Sequence, residues 1–310
     1  MVSMTEFHLV PMERHAFEAF HYSLRRPPAS SKPGSHRGGL FGEEGLYAGS
    51  EPLSSRPVRR FDLRATLLDP WRRLHVQRFQ NRSQTLLVAV VDRSRSMVPK
   101  LDLIKALVSS IAYSAYQHHD RFSLWIATDR PRCLLPPSRF GGMVPLAARM
   151  VEKPPPEAGG DRTSGFIRFP KRFPIRSVSG EMGGSVQALL EIAARLPHGA
   201  LVFLISDLFF ADGELERIAA AFGRHDTVPV VVWSQEEQAL PSRYGWFRLR
   251  DPESGRERKI LLRPEFAASF RQRLEERKRL LEERFRSYGR RPLFLDLPFS
   301  AKQLTRYFRS

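Results

Sequence analysis

One carboxylate and two hydroxyl groups alternate directly after a run of apolar residues, in the string VVDRSRSM. They belong to Asp92, Ser94 and Ser96, and this alternate spacing can turn all three side chains to the same side of a loop. Their oxygens are hard ligands, which suit Mg²⁺, Mn²⁺ or Ca²⁺ better than zinc. The string therefore predicts a site for a hard divalent cation.

Two further oxygen donors stand at comparable places in the chain. Asp207 closes the apolar run LVFLISD, and Ser185 belongs to the GGS that opens the helical stretch before that run. In an open α/β sheet, the loops that leave the carboxyl ends of strands converge on the ligand crevice. Five side chains can then form an incomplete octahedron, completed by water and one outside group: Asp92, Ser94, Ser96, Ser185 and Asp207.

The elements that must position these residues alternate between strand-like and helical patterns. From Ser83 onward, apolar runs such as TLLVAVVD, ALVFLISD and TVPVVVW are separated by stretches of helical period. Strands that are apolar throughout are buried on both faces, as in a parallel sheet covered by helices. We therefore predict an α/β fold with a doubly wound, mostly parallel sheet flanked by helices.

Two additions to this sheet are expected. Residues 246–262 are typical of a β-hairpin that turns at Glu253, Ser254 and Gly255, and a long helix follows that ends near Gly289. Because apolar residues recur along this helix at intervals of three and four, we expect it to pack on the edge of the sheet. A coiled-coil partner helix is the alternative. A last strand and a short terminal helix complete the chain.

The chain divides into four predicted parts. Residues 1–37 form an amphipathic N-terminal segment and a flexible connector rich in Pro, Gly and Ser. Residues 38–82 form a lead-in segment, and residues 83–300 form the α/β domain, with the hairpin and long helix at 246–289. Residues 301–310 form a C-terminal helix.

Composition excludes several classes of protein. The 310 residues contain one Cys, so an intrachain disulfide is excluded and a reducing compartment is indicated. No apolar run approaches the roughly 20 residues that span a bilayer, and no secretory signal is evident, so we expect a cytoplasmic protein without a membrane span. P-loop, dinucleotide-binding, HExxH and nucleophile-elbow motifs are missing, so we expect no enzymatic activity. A hydrolase that uses a metal-activated water is a weaker alternative, since no base is evident.

The net charge of +17 raises the question of a polyanionic partner. The middle of the chain is nearly neutral, and the excess of basic residues lies in the lead-in, the hairpin, the long helix and the tail. Nucleic-acid binding requires a concentrated basic stripe on a recognisable docking element, and no such element is evident. We expect an acidic protein partner or a solvated face. Nucleic-acid binding through the Arg-rich hairpin and helix is the alternative function.

The motifs resemble two related families. A DxSxS string after the first strand, a hydroxyl in a middle loop and an Asp after the fourth strand resemble the metal-ion-dependent adhesion site of von Willebrand factor A domains. The segment GEEGLYAGSEPLSSRPVRRFDLRATLLDPWRRLHVQRFQNR is similar to the lead-in of the bacterial domain-of-unknown-function family 58, and RLRDPESGRER resembles its hairpin. This resemblance covers roughly residues 38–300, although Phe61-Asp62-Leu63 replaces the family's Ile-Asp-Trp.

The resemblance implies roles for the five oxygen donors. Ser94 and Ser96 would ligate the ion directly, Asp92 and Asp207 directly or through water, and Ser185 takes the place usually held by Thr. The resemblance also implies a non-enzymatic adaptor that works with a MoxR-type AAA+ ATPase on an acidic client protein. The expected task is maturation, or metal or cofactor loading, of a client enzyme such as a methanol dehydrogenase.

A metal-free site stays open as an alternative. The three side chains of the DxSxS string can also cap the helix that follows it and satisfy the backbone of the loop. In addition, Arg93 and Arg95 are the intervening residues of the string, and two guanidinium groups beside two carboxylates would weaken cation binding.

Overall fold

The computed structural model describes residues 18–25, 33–42, 46–53, 61–153, 184–234, 245–250, 257–262, 264–295 and 297–310. The strands in this part of the chain are β1 (Pro33–Gly42), β2 (Leu46–Pro52), β3 (His75–Ser83), β4 (Leu86–Asp92), β5 (Arg121–Ala127), β6 (Pro131–Ser138), β7 (Leu201–Ser206), β8 (Asp226–Val231), β9 (Gly245–Arg250), β10 (Glu257–Leu262) and β11 (Leu293–Phe294). The helices are α1 (Leu63–Leu68), α2 (Leu101–Gln117), α3 (Met143–Glu152), α4 (Gly184–Arg195), α5 (Asp212–Phe222), α6 (Pro264–Ser287) and α7 (Ala301–Arg309), with a 3₁₀ helix at Arg95–Lys100.

The central sheet has six strands in the order β11-β8-β7-β4-β5-β6. Neighbouring strands pair in parallel except for β6, which is antiparallel to β5. The strand order reverses between β4 and β7, because the chain continues from β4 towards one edge and from β7 towards the other. Ligands of open α/β sheets bind at such a switch point. The predicted doubly wound, mostly parallel sheet is confirmed.

Both faces of the sheet are buried under helices. Along β4, Leu87, Ala89 and Val91 belong to the core cluster that includes α2, α3 and α7, whereas Val88 and Val90 belong to the cluster that includes α4, α5 and α6. Successive side chains of a strand point to opposite faces of a sheet. An unbroken apolar run is therefore what this strand requires.

Two elements of the domain were not predicted. Strand β6 and helix α3 lie in a Pro-rich stretch, and Pro131, Pro136 and Pro137 argue against a strand in the interior of a sheet. Strand β6 tolerates these prolines because it lies at the edge of the sheet, where one side of the strand needs no backbone donors.

The lead-in folds as a separate three-stranded antiparallel sheet in the order β1-β3-β2. Strand β1 begins at Pro33, so the connector predicted for residues 1–37 ends earlier than expected, because pairing with β3 draws its last residues into this sheet. Strand β3 ends at Ser83 and β4 begins at Leu86. The lead-in therefore joins the domain at the amino end of β4.

The hairpin and the long helix form as predicted, but the helix packs elsewhere. Strands β9 and β10 pair antiparallel, while the predicted turn at Glu253, Ser254 and Gly255 lies outside the described residues. Leu281 and Phe285 of α6 are buried in the core cluster on the α4 and α5 side. The helix thus packs on the α4 and α5 side of the domain, a position that differs from the predicted sheet edge. No helix in the described ranges is both long and apolar enough to cross a bilayer.

Residues 18–25, the described end of the predicted amphipathic segment, are held against the α/β domain. Phe20 is fully buried, with its ring centroid 5.8 Å from that of Phe203 and 6.1 Å from that of Phe308. Its backbone N–H donates to the Ser114 hydroxyl at 2.9 Å. The rest of the predicted amphipathic piece, residues 1–17, lies outside the described part of the chain. A buried aromatic ring therefore anchors the described end of this segment.

Phe20→Ala is expected to lower the free energy of unfolding by about 3–5 kcal/mol, because it leaves a ring-sized cavity in the core. Urea denaturation followed by tryptophan fluorescence measures the change. Phe140→Ala is the matched control: this ring is 42% exposed, and its loss should cost no more than about 0.5 kcal/mol. Equal losses in the two variants would contradict an anchoring role for Phe20.

Candidate functional site

Asp92 lies at the switch point of the sheet. It is the last residue of β4 and is fully buried. The register pairs it with Ala127 of β5 and pairs the preceding Val91 with Ile205 of β7. Ser206, the last residue of β7, therefore lies level with Asp92 on the neighbouring strand.

The Asp92 carboxylate accepts hydrogen bonds from three segments of the chain. Oδ1 accepts from the Ser94 backbone N–H at 3.0 Å and from the Ser185 hydroxyl at 2.9 Å, and Oδ2 accepts from the Ser206 hydroxyl at 2.9 Å. Burial raises the pKa of Asp92, and the negative charge of Asp207 raises it further, while the three hydrogen bonds oppose both effects. The carboxylate is thus held in a fixed position at an electrostatic cost.

The two serines of the DxSxS string lie side by side. Ser94 stands at the N-cap of the 3₁₀ helix but makes no capping hydrogen bond through its side chain. Its Oγ is instead 3.1 Å from the Oγ of Ser96. Two ligands of a Mg²⁺ octahedron with bonds near 2.1 Å lie about 3.0 Å apart, so the spacing of the two hydroxyls suits a shared ion.

The arginines within the string do not both face the carboxylates. The Arg93 guanidinium donates to the backbone carbonyl of Val151 at 2.7 Å, at the end of α3. Arg95 is exposed. The Arg93 guanidinium is therefore bonded to the end of α3. This removes part of the expected repulsion between the two arginines and a bound cation.

Gly184 explains how Ser185 reaches the site. Helix α4 begins at Gly184, where a Cβ would lie 3.1 Å from the Cα of Asp129 in the loop between β5 and β6. A residue without a side chain lets the helix start this close to that backbone without displacing it. The close approach brings Ser185, the next residue, within hydrogen-bond distance of Asp92.

Asp207 is the second carboxylate of the site and is paired with a lysine. It follows β7 directly and is buried, and its Oδ2 lies 3.4 Å from the Nζ of Lys100. Its Oδ1 accepts from the Phe209 backbone N–H at 3.3 Å, and its backbone carbonyl accepts from Trp233 Nε1 at 2.9 Å. Both the side chain and the backbone of Asp207 are therefore held in place.

Two residues of the site were missed by sequence reasoning. Ser206 is the single polar residue of the strand LVFLIS, and its place beside Asp207 at the end of that strand could have indicated a contact with Asp92. Lys100 gave no such signal, because a lysine at the start of a helix usually lies in solvent.

The predicted donors fit a hard cation in type. Asp92, Ser94, Ser96 and Ser185 are linked by hydrogen bonds, and Asp207 is near enough for its charge to raise the pKa of Asp92. Hydroxyl and carboxylate oxygens are ligands that Mg²⁺ and Ca²⁺ accept. Within the described ranges, however, no cluster of three or more His, Cys, Asp or Glu side chains could hold a metal ion. Any ion here would depend on two carboxylates and three hydroxyls.

The raised pKa of Asp92 predicts how stability without metal depends on pH. The folded protein holds this proton more tightly than the unfolded chain, so stability is greatest below the unfolded pKa of about 3.9 and falls as pH rises through the folded value. Asp92→Asn removes this titration and should flatten that part of the profile. Urea denaturation in EDTA from about pH 4 to pH 8 measures the free energy of unfolding of both proteins as a function of pH. Asp102→Asn, at an exposed position of α2, is the control. A profile for Asp92→Asn parallel to that of the wild type would refute the raised pKa of Asp92.

Comparison with known proteins identifies a family match. The model of the family described as "Protein of unknown function DUF58" matches residues 58–280. No curated protein sequence matches the chain.

Several solved structures are similar to the chain. One is a conserved hypothetical protein BatB from Bacteroides thetaiotaomicron, at 13% identity and a TM-score of 0.40, covering 73% of this chain and 100% of that one. An aerotolerance-related membrane protein from Bacteroides fragilis is 15% identical with a TM-score of 0.42, covering 73% and 98%. A von Willebrand factor type A protein from Catenulispora acidiphila is 14% identical with a TM-score of 0.31, covering 50% and 35%.

Proposed function

We propose that this chain, which belongs to the DUF58 family, is a protein-interaction adaptor that performs no catalysis of its own. One observation carries the proposal: two hydroxyls and a backbone N–H, from three separate segments of the chain, converge on the buried carboxylate of Asp92 at the switch point of the sheet. Such a site suits recognition of an acidic side chain of a partner through a divalent cation. The five predicted oxygen donors would hold Mg²⁺, with Mn²⁺ or Ca²⁺ as alternatives, and the ion would leave one coordination position for the partner's carboxylate.

Apolar side chains beside the site support a protein partner. Val98 in the 3₁₀ helix is 52% exposed, and Phe209, two residues after Asp207, is 50% exposed. The Phe209 ring stacks on Trp233 with the centroids 5.4 Å apart, which holds it in an outward position. Aromatic and apolar groups of this kind are enriched in the cores of protein interfaces.

The surroundings of Asp92 also favour binding over catalysis. A hydrolase with this ion would need a general base outside the set of ligands. The described groups that contact the two carboxylates are hydroxyls, backbone amides and Lys100, and the ammonium of Lys100 is paired with Asp207. A positively charged ammonium donates protons and does not accept them, so it cannot act as that base.

The basic residues of α6 favour a protein partner over nucleic acid. Arg277 pairs with Asp212 at 3.1 Å, and Arg284 pairs with Glu216 at 2.8 Å, so both link α6 to α5. Charges that are neutralised within the protein contribute little to phosphate binding. These two arginines therefore serve the packing of the domain.

A second exposed surface supports an adaptor with two partners. The lead-in surface consists of large apolar side chains that are 50–84% exposed: Phe61, Leu63, Leu67, Leu68, Trp71 and Leu74. Exposed apolar clusters of this kind mark interaction sites. The lead-in joins the domain at the amino end of β4, whereas Asp92 lies at the carboxyl end. We propose that this surface binds a MoxR-type AAA+ ATPase in the cytoplasm, while the Asp92 site binds an acidic client for maturation or for metal or cofactor loading.

The double variant Asp92→Ala/Ser94→Ala is expected to lose Mn²⁺ binding by at least about tenfold, because it removes two ligands and the hydrogen bond between their residues. Isothermal titration calorimetry measures the affinity, and Asp102→Ala/Ser269→Ala, at exposed positions of α2 and α6, is the matched control. Capture of the client by the immobilised chain should require Mg²⁺ and should fail in EDTA. Equal capture with and without EDTA would refute a metal-dependent function.

The double variant Leu67→Asp/Trp71→Ala is expected to abolish binding of a MoxR-type ATPase from the same organism while it leaves Mn²⁺ affinity unchanged. The substitutions place a charge on the lead-in surface and remove its largest ring. Surface plasmon resonance with the purified ATPase measures the loss, and Leu297→Asp, at another exposed leucine, is the control. Unchanged ATPase binding would contradict this role. If the double variant keeps ATPase binding but loses binding to phosphatidylglycerol vesicles, the surface is assigned to a membrane.

A further inference from the structure

Lys100 is buried, which is unusual for a lysine. The residue is 5% exposed, and its side chain and that of Asp207 are 3% and 5% exposed. Its Nζ lies 3.4 Å from Asp207 Oδ2. Lysines are almost never this buried unless their charge is paired. The ion pair with Asp207 therefore accounts for the burial of Lys100.

The position of Lys100 in its helix does not account for it. Lys100 is the last residue of the 3₁₀ helix and the N-cap of α2, where it makes no capping hydrogen bond through its side chain. The N-terminus of a helix carries partial positive charge, so a cation at this point opposes the helix dipole. Lys100 also ends the 3₁₀ helix, where a cation is favoured, so the two helix ends oppose each other and the local structure gives no net reason for a lysine here. The contact with Asp207 gives one.

We propose that Lys100 is a built-in cation of the Asp92 site, which neutralises Asp207 in the absence of metal and competes with a divalent ion for that carboxylate. The inference deepens the proposed function and rests on it. Two carboxylates and a divalent ion cancel in charge, whereas the same set with a buried ammonium carries one uncompensated positive charge. Such a charge is strongly unfavourable in a buried site. Before a partner's carboxylate is bound, the lysine and the metal therefore compete for the site.

Lys100 has a route out of the site. The side chain is a flexible four-carbon stem that can place its ammonium in water while the stem stays on the protein. Val98 and Pro99, in the same turn of the 3₁₀ helix, are exposed, so solvent lies close to the backbone of Lys100. A 3₁₀ segment before an α-helix is also less tightly bonded than the helix itself. Release of the lysine thus requires a local change only.

Competition makes partner capture depend on the free metal concentration. A protein whose binding-competent state is only partly populated binds its ligand with an apparent affinity that is lowered in proportion to that fraction. While Lys100 occupies its place beside Asp207, the metal-competent form is the minor one. The site would then bind its partner only where the metal is abundant enough to displace the lysine.

Lys100→Met tests the proposal, because methionine keeps the apolar stem and lacks the charge. Mn²⁺ affinity is measured by electron paramagnetic resonance for the full-length wild type, Lys100→Met and Lys105→Met. Lys105 is the matched control, since its Nζ pairs with Glu152 at 2.9 Å on the exposed surface. We expect Lys100→Met to bind Mn²⁺ at least about tenfold more tightly than the wild type and Lys105→Met to bind like the wild type.

The outcomes separate this inference from the proposed function. If the wild type and Lys100→Met bind Mn²⁺ equally, and Asp92→Ala/Ser94→Ala does not bind it, competition by Lys100 is wrong and the metal-dependent site stands. If neither the wild type nor Lys100→Met binds Mn²⁺, both are wrong. Should Lys100→Met fold poorly without metal, Lys100→Gln is measured in the same way, and Mn²⁺ should raise its melting temperature more than that of the wild type. Equal shifts would overturn the competition.

Discussion

The burial of one carboxylate constrains the whole carboxyl edge of the sheet. Asp92 can be buried only because it accepts hydrogen bonds from Ser94, Ser185 and Ser206, and an unpartnered carboxylate at this depth would cost several kcal/mol. The three donors come from the loop after β4, the start of α4 and the end of β7. Apolar packing sets the layers of the domain, whereas this polar contact fixes how three of its segments meet.

The loop that carries Asp207 is held from the opposite side by the long helix α6. Leu208 adopts a φ of 54°, in the left-handed region that a side chain rarely occupies, so the loop needs outside support. Arg277 of α6 donates to the backbone carbonyls of Leu208 at 2.6 Å and Phe210 at 2.7 Å. Through Arg277, the charged helix therefore supports the loop that carries Asp207.

Sequence patterns predicted what depends on local burial and missed what depends on distant contacts. Unbroken apolar runs predict strands buried on both faces, and a polar residue at the end of such a run predicts a position at the sheet edge, so the placement of Asp92 and Asp207 followed from the chain itself. The anchoring of Phe20 depends on Phe203 and Phe308, far away in the sequence. No local period encodes a contact of that kind.

The charges near the site show the same distinction. Arg93 and Arg95 stand inside the DxSxS string, yet Arg93 reaches Val151 and Arg95 is exposed. Lys100 lies outside the string and pairs with Asp207, 107 residues away. Proximity in the sequence therefore did not identify the cation that meets the carboxylates. The electrostatic balance of the site depends on which side chain the fold buries beside Asp207, and in the described part of the chain that side chain is Lys100.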